Sequence, residues 1–178
     1  PYVLIGRSAS EVAEPRYFDR DGKPLPADAP GEQIAESVYD IRIKPGIRFA
    51  PHPAFARRAD GSYVYHYLKR EDLEGKHQIS DFKETGTREL TADDFVYGIR
   101  RLATTRVKSP AYSTLAEYIV GLKEYGAKIK AVDKELRKDL PSTARDLPFL
   151  DFRQYPFDGA VAIDPHTPGL NRQLGLAA

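Results

Sequence analysis

The chain has 178 residues, 41% of them hydrophobic and 30% charged, which suits one soluble globular domain with a single core and argues against wholesale disorder. Its 27 basic and 26 acidic side chains leave a net charge of +1, so bulk charge gives no support to a phosphate-binding surface and nucleic acid is not an expected partner. The absence of cysteine excludes disulfides, thiolate metal sites and a cysteine nucleophile together.

No apolar run approaches the ~20 residues that span a bilayer. The opening "PYVLIGRSAS" has no basic stretch ahead of a long apolar core, so it does not read as a signal peptide. It also lacks an initiator methionine, and the chain is expected to be processed or part of something longer.

Residues 1–37 read as an extended flank. Within it "DRDGKPLPADAPG" (19–31) is turn and linker: Asp21-Gly22 suits a tight turn, and the prolines exclude a helix. Next, "SVYDIRIKPGIRF" alternates Tyr39, Ile41 and Ile43 against Asp40, Arg42 and Lys44. A period of two predicts a half-buried strand, broken at Pro45-Gly46.

Residues 50–89 read as a long loop insertion. Asp60-Gly61 before "SYVYHYL" predicts a turn entering a second strand, with Tyr63, Tyr65 and Tyr67 on one face and His66 on the other. Packing and a stacking surface for a ligand are both open to such tyrosines. The rest of the loop is irregular, with a short helical turn near Arg70 to Glu74.

"LTADDFVYGIRRLA" (90–103) predicts a capped helix. Thr91 is a suitable N-cap with Asp94 three positions on, a capping box with Asp in place of Glu or Gln. Asp93 and Asp94 in the first turn and Arg100 and Arg101 in the last complement the helix dipole, by about 0.3–1 kcal/mol each where exposed. Phe95, Ile99 and Leu102, with Val96 beside them, form the expected apolar face. Further on, Leu115, Tyr118, Ile119 and Leu122 predict a helix stopping at Gly126. Ile129, Val132 and Leu136 predict another over Ala127 to Leu140, and a last strand is expected around Gly159 to Ile163.

Chemistry-bearing motifs are few. His52, His66, His77 and His166 have no partner histidine at ligand spacing, so no zinc site and no cofactor is expected. Asp93 and Asp94 are neighbours that do not share a helix face, which favours capping over acid–base work. Glu71, Asp72 and Glu74 read as a solvated run. No phosphate-binding glycine loop and no nucleophile elbow occurs. A hydrolase built from scattered carboxylates has no motif to anchor it, so no catalytic, metal or cofactor residue is assigned and no enzyme activity is expected.

Two segments in order carry a resemblance. "YDIRIKPGIRF" followed by "ELTADDFVYGIRRLA" resembles the paired signature of the family 5 extracellular solute-binding proteins. These are periplasmic dipeptide-, oligopeptide- and nickel-binding components of ABC transporters. Lys44, Gly46, Ile47 and Phe49 match the first half, and Leu90, Thr91, Ala92, Asp94, Val96 and Arg100 the second. "AIDPHT" (162–167) is similar to a later strand entry. The chain departs from the family in its long 50–89 loop and in the tail after Thr167.

The resemblance implies an α+β fold: a small, mostly antiparallel sheet packed against several helices, as in the peripheral subdomain of the N-terminal lobe of a class II-like periplasmic binding protein. On this reading residues 1–178 form a single domain of a larger two-lobed parent. It further implies a periplasmic or lipid-anchored location, a peptide or other small solute bound by that parent, and an ABC transporter permease as membrane partner. The resemblance carries no ligand-binding residue onto a position of this chain. A stand-alone interaction module using the tyrosines of residues 50–89 is the competing expectation.

Overall fold

The computed structural model describes residues 4–141, 144, 147–157 and 159–160, together with the backbone of 174–177; Arg153 is described by its backbone alone. The chain divides into two compact units, one of Pro1–Arg42 with Ala92–Ala178 and one of Ile43–Thr91. The expected α+β class holds at this level: an antiparallel sheet with three α-helices and several 3-10 turns.

In the first unit strands β1 and β2 and the start of β3 come from residues that read as extended flank. Strand β1 (Pro15–Phe18) pairs on one side with the two-residue β2 (Pro24–Leu25), in register Tyr17 to Leu25. On the other side it pairs with β3 (Glu36–Tyr39), in register Arg16 to Val38. A fourth strand, β4 (Leu174–Ala177), adds to the free edge of β3, giving the order β2-β1-β3-β4.

The β1–β2 turn follows from Asp19. Its Oδ1 accepts the Asp21 amide at 2.9 Å and the Lys23 amide at 2.8 Å, and Gly22 supplies the left-handed residue at φ 75°. The predicted strand is displaced. β3 ends at Tyr39, and Ile41, expected on its apolar face, is 49% exposed. Pairing with β1 selects Glu36–Tyr39, so the partner strand overrides the alternation that continues to Lys44.

Helix α1 (Ala92–Leu102) begins directly after Thr91 and carries Asp93 and Asp94 first, Arg100 and Arg101 last. Its buried face is turned from the one expected. Val96 is buried, as is Ala103 just past the helix end, whereas Phe95 is 45% exposed. Ile99 packs at the edge of the core, and Tyr97 meets Phe152 edge-on at 5.6 Å between ring centroids.

The predicted helix boundary at Gly126 is also displaced. Helix α2 (Tyr112–Tyr118) ends at an extended Ile119, and α3 (Leu122–Leu136) starts after Gly121, which takes φ 74°. Gly126 lies inside α3. A Cβ there would run into the Tyr112 hydroxyl, so this glycine serves close helix packing rather than termination. The core gathers Val96, Ile119, Leu122, Tyr125, Ile129, Leu150, Phe152 and Phe157, with Leu122 and Ile129 fully enclosed. Among the described residues this cluster holds no side chain of the sheet. Gly159 and Ala160 lie in a turn and bend, and the rest of the expected strand to Ile163 falls outside the described residues. No helix among the described residues is long and apolar enough to cross a membrane.

Candidate functional site

Among the described residues three clusters carry polar or aromatic chemistry, and the most exposed lies in the Ile43–Thr91 unit. That unit is a loop closed at its base. The Pro45-Gly46 turn, with Gly46 at φ 79°, places the Gly46 amide 2.6 Å from a Glu89 carboxylate oxygen. Antiparallel bonds then join the two ends: Leu90 N donates to Ile47 O at 2.8 Å, Phe49 N to Arg88 O at 3.0 Å, and His52 N to Gly86 O at 2.9 Å. The Arg88 guanidinium sits over Phe49 at 4.8 Å and over Phe55 at 5.3 Å from the ring centroids. The 50–89 stretch is thus tied together at its ends, a pairing that its reading as a long loop insertion does not include.

His52 has a structural role. Its Nδ1 accepts the Ala54 amide at 3.1 Å and caps the 3-10 turn Pro53–Phe55. Beyond it a tight turn runs through Asp60-Gly61, where the Ser62 hydroxyl and amide bind Asp60 and hold its carboxyl below the usual carboxylate range. Gly61 takes φ 83°, and Arg57 and Tyr63 bridge across the turn.

The expected tyrosine strand does not form. Residues 64–67 make a turn instead, and the three tyrosines separate. Tyr65 turns inward: its ring meets Phe82 at 5.1 Å, and its hydroxyl accepts the Glu84 amide at 3.1 Å. Tyr63 lies under the Arg57 guanidinium at 4.1 Å and accepts a 2.7 Å bond from Arg57 Nη2. His66, expected on the face opposite Tyr65 and Tyr67, contacts both Tyr63, edge-on, and Tyr67, at a tilt, with 4.9 Å between ring centroids in each pair. Tyr67 ends the row at 90% exposure. A local turn brings i, i+3 and i+4 rings together where a strand would have alternated them. This row of Arg57, Tyr63, His66 and Tyr67 is a surface able to stack on a planar or apolar group.

The second cluster lies in the other unit and holds the fold. Asp133 of α3 accepts from Arg106 Nε at 2.6 Å, Arg137 Nε at 2.8 Å and Thr105 Oγ1 at 3.2 Å. Arg106 also donates through Nη1 to the Pro148 carbonyl at 2.6 Å. Burial by itself would raise the Asp133 pKa; the bonds and charges of Arg106 and Arg137, with the Thr105 hydroxyl, outweigh it and hold the carboxyl below its ordinary value. The carboxylate ties the 105–106 segment to α3, and Arg106 in turn reaches the segment of Pro148. Sequence spacing gives only the i, i+4 relation of Asp133 and Arg137, and the Arg106 partnership requires the fold.

The third is an open hollow of about 300 Å³ lined by Asp19, Arg20, Asp21, Leu25, Glu32 and Gln33. Asp19 there commits one carboxylate oxygen to the turn amides described above. Glu71 begins an exposed 3-10 turn, Glu71–Leu73, close to the helical turn expected near Arg70 to Glu74, and Glu74 is exposed beyond it. His77 is exposed, and its backbone amide bonds Asp81. His166 and the "AIDPHT" segment fall outside the described residues. Among the described residues no three His, Asp or Glu side chains converge as metal ligands would. No family model, no curated protein and no solved structure matches this chain.

Proposed function

We propose that this chain is a non-catalytic part of a family 5 solute-binding protein, serving an ABC transporter permease with peptides or related solutes in the periplasm. The supporting observation is the pairing of the two resembling segments. Lys44–Phe49 and the residues leading into α1 are far apart in sequence, yet Ile47, Phe49, Arg88 and Leu90 share backbone hydrogen bonds. Glu89 closes the Pro-Gly turn of the first segment. A paired signature that acts as one structural device is expected to be joined in this way. On this reading the α+β unit is the peripheral subdomain of a class II-like lobe, and the long insertion distinguishes it from short-loop members.

The test is a thermal shift on the full-length parent with a pool of short peptides and with single solutes. A ligand at 100 times its Kd stabilises by about 2.7 kcal/mol. Absence of stabilisation by any peptide or solute overturns the reading.

A second reading, a protein-interaction module, is favoured by one observation: the Tyr63–His66–Tyr67 row with Tyr67 almost wholly exposed. Removal of residues 53–86 should then abolish partner pull-down, and unchanged pull-down contradicts it.

A further inference from the structure

We draw no further inference here: the strongest candidate, the exposed aromatic row of Tyr63, His66 and Tyr67 beside Arg57, belongs to the surface already described, and nothing in the structure shows what covers it.

Discussion

The helical unit and the Ile43–Thr91 unit are held by different physics. The first encloses Leu122 and Ile129 completely and surrounds them with aromatic rings. The second buries only Pro53 and Ala56. Its order comes from backbone bonds across its base and from guanidinium groups over rings: Arg88 on Phe49 and Phe55, Arg57 on Tyr63. Apolar burial is worth roughly 25 cal/mol per Å², whereas an exposed cation–π contact contributes about 0.5–1 kcal/mol. A segment stabilised in the second way opens more readily, which suits a surface that engages other molecules.

Substitutions can break this contrast. Leu122→Ala leaves a cavity in the enclosed core and should cost about 2–5 kcal/mol, read by urea denaturation followed by helical circular dichroism. A loss near zero would mean that the helical core is not the stabilising element.

Asp133→Asn comes next, at about 3 kcal/mol, because two guanidinium groups lose their buried counter-charge. Its pH dependence sharpens the claim. The folded-state pKa is depressed, so the contribution is complete above the unfolded value of about 3.9 and is lost as pH falls through the lower folded value. The melting temperatures of parent and variant should differ at neutral pH and converge in strong acid. A constant gap would assign the effect to packing.

Arg57→Ala should cost about 1 kcal/mol and act locally, speeding amide exchange around residues 57–63. Smallest and opposite in sign is Tyr125→Phe. The Tyr125 hydroxyl is buried and has no hydrogen-bond partner among the described residues, and burial pushes its pKa up to about 12. Removing it should stabilise the protein by about 1 kcal/mol in the same denaturation experiment, and destabilisation would reveal a partner for that hydroxyl.

Local chemistry was the legible part of this fold. Asp21-Gly22, Pro45-Gly46 and Asp60-Gly61 all mark turns whose glycines take positive φ, because only backbone freedom is needed there. The ends of α1 were legible from its charges for the same reason. Features decided by distant partners were not. Strand β3 ends at Tyr39, opposite Pro15 where β1 begins, the break between α2 and α3 falls at the left-handed Gly121 while Gly126 lies inside α3 against Tyr112, and Tyr65 leaves its neighbours for Phe82. Of the candidate site, the tyrosine richness of 63–67 was visible; the turn that brings His66 against two of those rings was not.

Native-state hydrogen exchange tests the central contrast most directly. The α3 amides around Ile129 and Val132 should require the largest opening free energy. The base amides of Phe49, His52 and Leu90 should open at a measurably lower one, and the exposed 66–80 stretch should exchange fastest. Equal protection of Phe49 and Ile129 would contradict the account.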